Sequence, residues 1–280
     1  MRLSVFQADK NVEIVMSDSF DLAATLDCGQ AFRFELCEDG TWRGVVQGKY
    51  LCLHQEYNKL ILHDTDFEEF ESVWRNYFDL DRDYTYIKEV LCEDKTLKNA
   101  CALAGGIRVL KQDPWECLCS FIISQNNNIP RIKGIINRLC ESFGEPVGEG
   151  LYSFPTAERI ASLSLEELAP LRAGFRAKYI LDAARRVASG EIDFKKLQKM
   201  KTDAARDELM KIYGVGEKVA DCVLLFGLGR VEVIPKDVWI KRVLSELYGG
   251  ALPDYAAPYA GIAQQFLFHY ARMTKLEIGE

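Results

Sequence analysis

A lysine beside a glycine turn is the first feature of this sequence that could carry chemistry. Lys218 follows Gly214-Val215-Gly216, where one predicted helix ends and another begins. Such a helix-hairpin-helix exposes backbone N–H groups at a helix N-terminus, and these bind phosphate without reading base sequence. Glycine suits the turn because a Cβ would block close approach of the backbone to its ligand. The same residues also fit an ordinary helix end followed by a lysine that faces solvent.

An aspartate downstream is the second such feature. Asp237 lies in the segment Val233-Ile234-Pro235-Lys236-Asp237-Val238-Trp239, directly before a predicted helix. Aspartate is a favoured N-cap residue, so capping alone would explain it. A carboxylate near a helix N-terminus is also favoured in its charged form, which can stabilise positive charge in a transition state. Both interpretations of Asp237 remain open at this point.

The elements that must position these residues divide the chain into a strand-rich and a helix-rich part. Phe32, Phe34 and Leu36 alternate with polar residues, and the runs 42–46, 50–54 and 59–63 continue the pattern, which predicts an antiparallel sheet. Beyond Asp66 the apolar residues recur at helical spacing. We therefore expect an α+β fold, with a small N-terminal antiparallel sheet domain and flanking helices in residues 1–98 and a helical body in residues 99–280.

The clearest helix start is Asp113-Pro114-Trp115-Glu116, which has Asp at the N-cap, Pro at the first position and Glu at the third. The hairpin is expected around residues 204–226. Further helices are predicted over residues 130–143, 165–171, 177–189, 202–212, 218–226 and 238–247.

The composition describes a globular protein without an obvious membrane or secretory signal. The chain has 280 residues, of which 48% are hydrophobic, and no apolar run is long enough to span a membrane. The N-terminal segment Met1-Arg2-Leu3-Ser4-Val5-Phe6 lacks the apolar stretch of a signal peptide. We expect an intracellular monomer, cytoplasmic or nucleoid-associated in a prokaryote and nuclear in a eukaryote.

Nine cysteines at irregular spacings fit a reduced compartment, and only Cys117 and Cys119 lie close together. The sequence therefore predicts neither a metal site nor a cofactor. His54, His63 and His269 suggest no triad, and the P-loop, G-x-G-x-x-G and G-x-S-x-G motifs are missing, so common hydrolase and dehydrogenase classes find no support.

Charge does not decide whether the chain binds DNA. The net charge is −7, whereas residues 172–201 are rich in Lys and Arg. That stretch fits a phosphate-binding patch or simply a solvated helical face.

Six separated motifs resemble the 8-oxoguanine DNA glycosylase/lyase family of the helix-hairpin-helix (HhH-GPD) superfamily. The hairpin followed by the V-x-P-x-D segment resembles the superfamily as a whole, whose members carry an acid at the position of Asp237. Its lytic members carry a lysine at the position of Lys218. The six motifs run in register from the N-terminal region to the last residues: Cys28-Gly29-Gln30-Ala31-Phe32-Arg33, Gln112-Asp113-Pro114, Ser124-Gln125-Asn126-Asn127-Asn128-Ile129, Gly174-Phe175-Arg176-Ala177-Lys178-Tyr179, Lys218-Val219-Ala220-Asp221-Cys222 and Gly261-Ile262-Ala263-Gln264.

This resemblance implies a bifunctional enzyme that excises 8-oxoguanine from double-stranded DNA without a cofactor. Lys218 would attack the C1′ sugar carbon, expel the base and form a Schiff base that permits β-elimination. Asp237 would stabilise the positive charge on the sugar and assist proton transfer.

The resemblance also assigns a base pocket, which would receive the base after it leaves the stack. The carbonyl of Gly29 would accept a hydrogen bond from the N7–H that only the oxidised base has. Gln264 would bind the Watson–Crick edge, while Phe268 and Cys222 would sandwich the ring. Without the family, each of these four residues fits a core, bulge or surface role.

The remaining assignments concern the duplex. Phe175 would fill the gap left by the base, and Asn126, Arg131 and Arg176 would read the cytosine opposite. Gly214, Gly216 and Trp239 would lie at phosphates. Two positions depart from relatives: Trp239 stands where related members often have a histidine, and Phe175 where some have a tyrosine. Pro130, directly before Arg131, could also shift the start of that helix.

Two rival functions remain open from the sequence. A monofunctional alkylated-base glycosylase of the same superfamily would not require Lys218. A non-catalytic helix-hairpin-helix module would only bind phosphate, and would therefore tolerate Lys218→Gln with binding and function intact.

Overall fold

The computed structural model describes residues 3–274, and it confirms the predicted α+β class. One six-stranded antiparallel sheet has the strand order β1-β2-β6-β5-β4-β3, and a separate hairpin pairs β7 with β8. The strands are β1 Leu3–Ala8, β2 Asn11–Met16, β3 Glu35–Leu36, β4 Trp42–Val46, β5 Lys49–Glu56, β6 Lys59–His63, β7 Pro146–Gly148 and β8 Leu151–Tyr152.

Helices make up most of the chain beyond the sheet, and among residues 3–274 none is long and apolar enough to cross a membrane. Two of the helical runs include a π-helical segment, Phe70–Trp74 in the first and Val223–Gly227 in the second. The α-helices are α1 Leu22–Leu26, α2 Phe67–Glu69, α3 Arg75–Tyr77, α4 Tyr84–Leu91, α5 Lys95–Ala104, α6 Pro114–Ser124, α7 Ile129–Phe143, α8 Ala157–Ala161, α9 Arg176–Ala188, α10 Phe194–Leu197, α11 Thr202–Leu209, α12 Glu217–Cys222, α13 Val238–Tyr248 and α14 Ala260–Thr274.

The start of α6 confirms the local signal in the sequence. Asp113 is the N-cap, and its carboxylate accepts from the backbone N–H groups of Trp115 at 3.0 Å and Glu116 at 2.9 Å. Pro114 occupies the first helical position, where no N–H donor is needed. Pro130 likewise lies in the first turn of α7, which begins at Ile129 after the N-cap Asn128.

Two local predictions were wrong. The strand expected from Phe32 to Leu36 is limited to β3, because Phe32 belongs to the core of the helical body and Phe34 to the core of the sheet. Their alternation therefore reflects a segment that bridges two cores. The helix expected over residues 165–171 is a 3₁₀ turn, Ala169–Leu171, since Pro170 supplies no N–H to continue a helix.

Two hydrophobic clusters underlie this organisation. One joins the sheet to the helical run of residues 67–78 and includes Leu110; the other fills the helical body and includes residues of α4 and α5. The division of the chain at residues 98 and 99 stays a prediction.

A buried arginine joins the two parts. Arg108 is fully buried, pairs with the carboxylate of Asp18, and lies 4.0 Å from the ring centroid of Tyr84 on α4. The Asp18 side chain is also almost fully buried, so neither charge is solvated. Such a pair contributes little against an apolar replacement of both partners, but removal of one partner leaves an uncompensated charge.

We therefore expect Arg108→Met to lower the free energy of unfolding by about 3–5 kcal/mol. Urea denaturation measures this loss. The double variant Arg108→Met/Asp18→Leu should recover much of it, because no buried charge remains. A single-variant loss below about 1 kcal/mol would contradict the prediction, since that is the range of an exposed pair.

Candidate active site

A small cavity of about 80 Å³ lies where α6, α12, α13, α14 and the loop after α1 meet. All six residues predicted to be catalytic or to bind the base line it. Its walls are formed by Cys28, Gly29, Phe121, Lys218, Cys222, Phe226, Pro235, Asp237, Gln264, Gln265 and Phe268. Residues far apart in sequence thus line one cavity, although their individual roles stay predictions.

Lys218 lies in the first turn of α12, half-buried against α6. Its Nζ donates to Ser124 Oγ at 3.3 Å and lies 4.9 Å from the ring centroid of Phe121. The Ser124 hydroxyl donates to the carbonyl of Phe121 at 2.8 Å, so its lone pairs are left to accept from the lysine. Sequence reasoning missed this contact, because nothing in the Ser124 motif pointed to a residue so distant along the chain.

Asp237 is the N-cap of α13, as capping alone would predict. Its Oδ1 accepts from the backbone N–H of Ile240 at 2.7 Å. The same side chain lines the cavity with Lys218. Capping and catalysis are therefore compatible, because the helix end fixes the carboxylate at the cavity wall.

Cys222 lies one turn after Lys218 and is 1% exposed. Burial raises the pKa of its thiol to about 11, while the positive charge of Lys218 opposes that rise. Cys222 is therefore a neutral thiol at physiological pH, a suitable wall for an apolar ring face.

One face of α14 supplies Gln264 and Phe268, which are separated by four residues and therefore lie on the same side of the helix. Gln264 is buried, and its Oε1 accepts from Gln265 Nε2 at 3.2 Å. Trp239 of α13 packs edge-on against Phe268, with 5.1 Å between ring centroids. Trp239, one of the two residues that depart from relatives, thus supports the cavity wall formed by Phe268.

Gly29 adopts φ = +77°, a conformation that favours glycine. A Cβ at this position would meet nothing within 4 Å, so the constraint is the backbone conformation and not the available space.

The hairpin connects α11 to α12 and is held against α9. Gly214 has φ = +80°, and a Cβ on it would overlap the ring of Tyr179. The backbone N–H of Tyr213 donates to Asp182 at 2.8 Å. Gly216 is the exposed N-cap of α12, and a Cβ there would meet nothing within 4 Å. Both the backbone conformation and the available space therefore require glycine at position 214, whereas neither requires it at position 216.

Phe175, the predicted wedge, is 48% exposed at the start of α9. The neighbouring Arg176 is almost fully buried and donates to the carbonyls of Gln125, Asn126 and Ala173. Burial lowers the pKa of its guanidinium, and the charge of Arg131 lowers it further. For Arg176 to read a cytosine, its guanidinium would have to exchange hydrogen bonds to these carbonyls for hydrogen bonds to the base.

Asn126 and Arg131 are both exposed, close to this buried arginine. Asn126 has φ = +47°, in the left-handed region that Asn tolerates.

Metal ligands are not grouped in the described part of the chain. Within residues 3–274 no set of three or more His, Cys, Asp or Glu residues could hold a metal ion. All nine cysteines are free thiols.

The hairpin glycines provide a matched pair of substitutions. Gly214→Ala should lower the free energy of unfolding by about 2 kcal/mol or more, through backbone strain and overlap with Tyr179. It should also weaken binding to damaged and undamaged duplexes alike, since a phosphate contact carries no base information. Gly216→Ala should cost about 1 kcal/mol or less. Chemical denaturation and fluorescence anisotropy check both, and equal losses would contradict the assignment.

Comparison with known proteins places the chain in a family. The N-terminal domain of 8-oxoguanine DNA glycosylase matches residues 13–118, and the HhH-GPD superfamily of base excision DNA repair proteins matches residues 119–255. An N-glycosylase/DNA lyase of Saccharomyces cerevisiae is 42% identical over 158 residues, which cover 51% of this chain and 42% of the yeast protein. The matched region thus spans less than half the length of that relative.

Two further relatives match over most of their length. The protein named "Probable N-glycosylase/DNA lyase" of Methanothermobacter thermautotrophicus is 31% identical over 242 residues, covering 75% of this chain and 76% of that protein. The crystal structure of Clostridium acetobutylicum 8-oxoguanine glycosylase/lyase with double-stranded DNA containing cytosine opposite 8-oxoguanine superposes with a TM-score of 0.90. It is 35% identical, and the match covers 98% of this chain and 99% of that one. The chain described here belongs to the 8-oxoguanine DNA glycosylase family of the HhH-GPD superfamily.

Proposed function

We propose that this protein is a bifunctional DNA glycosylase/AP lyase that removes 8-oxoguanine from duplex DNA in base excision repair. One observation carries the proposal: Lys218 and Asp237 line the same cavity as the four residues predicted to hold the base. The full-length similarity to the Clostridium acetobutylicum enzyme supports the same substrate, with cytosine opposite the lesion. No cofactor is required, because the lysine itself supplies the nucleophile.

The chemistry begins with an amine placed beside a sugar carbon. Lys218 Nζ attacks C1′, the bond from C1′ to the base breaks, and the base leaves with a proton. One amine proton passes to the departing base; the C1′–O4′ bond then breaks as the nitrogen forms a double bond to C1′, and O4′ takes up a proton. Loss of a proton from C2′ of this protonated Schiff base then expels the 3′ phosphate by β-elimination. The carboxylate of Asp237 stabilises the positive charge that develops on the sugar.

Recognition requires that the base enter the cavity after leaving the stack. The volume of about 80 Å³ is well below the roughly 300–1,000 Å³ of ligand pockets, so a wall must move to admit the base. Phe268 is the partly exposed aromatic wall, supported by Trp239. Once inside, the ring lies between Phe268 and Cys222, with Gln264 at its Watson–Crick edge and the Gly29 carbonyl at N7–H.

We assign the contacts with the duplex to residues outside this cavity. Phe175 fills the space that the base vacates, and Gly214 and Gly216 present backbone N–H groups to phosphate. Trp239 also lies at a phosphate of the DNA. Arg131 and Asn126 face the cytosine directly, whereas Arg176 first has to release the carbonyls that it binds.

Both rivals leave particular residues unexplained. A monofunctional glycosylase has no use for a lysine held by Ser124 at the cavity wall. A module that only binds phosphate does not explain why all six predicted catalytic and base-binding residues line one cavity.

We further assign the protein, as a monomer, to the compartment that holds the DNA: the nucleoid of a prokaryote or the nucleus of a eukaryote.

Replacing the nucleophile should separate binding from chemistry. Lys218→Gln should bind an 8-oxoguanine duplex as the unmodified protein does, but excise the base and cleave the strand about 1,000-fold more slowly or worse. Gel-shift and single-turnover cleavage assays measure the two properties. Lys211→Gln is the matched control, because Lys211 is an exposed lysine of the hairpin that pairs with Glu208. Base release without strand cleavage in Lys218→Gln would favour the monofunctional rival.

Asp237 offers a way to separate capping from charge. Asn caps a helix as well as Asp does, so Asp237→Asn should leave the free energy of unfolding nearly unchanged while slowing excision by about 100-fold. Asp237→Ala should lose the same activity and also about 1 kcal/mol of stability. Denaturation and single-turnover kinetics on the two variants distinguish the roles. Full activity in Asp237→Asn would reduce this residue to a cap.

A further inference from the structure

A fully buried glutamine follows Gly29, and its side-chain amide is satisfied entirely by backbone groups. Gln30 Nε2 donates to the carbonyls of Thr25 and Arg108, both at 2.8 Å. Its Oε1 accepts from the backbone N–H of Leu110 at 3.0 Å. One side chain therefore connects the loop after α1 to the segment that leads into α6.

The backbone of the same residue reaches the catalytic helix through one intermediate. The carbonyl of Gln30 accepts from Gln112 Nε2 at 2.6 Å. The backbone N–H of Gln112 donates to the carbonyl of Phe226 at 2.8 Å. Phe226 lines the cavity and lies in the π-helical segment that continues α12, the helix of Lys218. The loop is thus hydrogen-bonded, through Gln112, to the helical run that carries Lys218.

In the described part of the chain, Gly29 makes no interaction of its own that would fix the direction of its carbonyl. A side-chain position on it would be surrounded by open space, and no hydrogen bond within residues 3–274 uses its backbone. Its neighbours Cys28 and Gln30 are both buried. The position of the Gly29 carbonyl is consequently imposed by the residues on either side, and Gln30 makes the most bonds.

We propose that Gln30 is the positioning residue that aims the Gly29 carbonyl at N7–H of the oxidised base, and so a determinant of lesion specificity. The inference rests on the proposed function. At N7 the oxidised base donates a hydrogen bond, whereas guanine can only accept one, and a hydrogen bond weakens steeply outside about 2.7–3.2 Å or below about 120°. A carbonyl free to shift would no longer distinguish the two bases.

An abasic site separates this role from general support of the fold. Such DNA has no base for the Gly29 carbonyl to read, whereas Lys218 still has to form its Schiff base and cleave the strand. Loss of the Gln30 bonds should therefore reduce base excision and leave lyase activity on abasic DNA intact. A residue that only supports the fold would affect both activities equally.

The test uses Gln30→Met and Gln112→Met in the full chain, with duplexes that carry either 8-oxoguanine or an abasic site opposite cytosine. Single-turnover rates on the 8-oxoguanine duplex should fall about 10- to 100-fold for Gln30→Met, as expected for a displaced contact. The fall should be smaller for Gln112→Met, which removes one bond. Rates on the abasic duplex should not change.

Arg230→Met is the control, because Arg230 is a buried side chain that donates to the carbonyls of Leu197 and Met200 within the helical body. It should change the ratio of the two rates in neither direction. If Gln30→Met slows both reactions equally, or neither, the inference is overturned. If Gln30→Met does not fold, the same criterion applies to Gln112→Met. Failure of the unmodified protein to excise 8-oxoguanine would instead overturn the proposed function.

Discussion

The proposed chemistry places one constraint on the helical body, which is the position of the Lys218 amine. An amine attacks a sugar carbon only when the two are held within about 3–3.5 Å in the correct direction. Lys218 is held by Ser124 and by the ring of Phe121, both on α6. The hairpin fixes the start of α12, and the N-cap of α13 brings Asp237 to the same cavity. These contacts bring Lys218 and Asp237 together at one cavity in the helical body.

The small sheet domain contributes the loop after α1, in which Cys28 and Gly29 line the cavity. Its own core is separate from that of the helices, so the two must be joined by specific contacts. Arg108 joins them through a buried ion pair with Asp18. Gln30 joins them through its backbone carbonyl, which accepts from Gln112, whose own N–H donates to Phe226. We infer that catalysis belongs to the helical body and that recognition of the oxidised edge belongs to the sheet domain.

The sequence allowed good prediction wherever a signal was local. Asp113-Pro114 marked the start of α6 because capping depends on neighbouring residues. The resemblance to the family, in turn, predicted that Lys218 and Asp237 would share one site. The bonds from Arg176 to the carbonyls of residues 125 and 126, and the overlap of a Gly214 side chain with Tyr179, depend on tertiary packing. No periodicity or spacing could reveal them. Phe32 and Phe34 misled for the same reason, since they enter different cores.

The most direct test of the account is to identify the residue that becomes joined to DNA. Borohydride reduction during the reaction on an 8-oxoguanine:cytosine duplex should trap one covalent adduct, which protease digestion and mass spectrometry can locate. We expect the sugar remnant on Lys218 alone. A remnant on another lysine, or base release without any adduct, would contradict the assignment of Lys218 as the nucleophile.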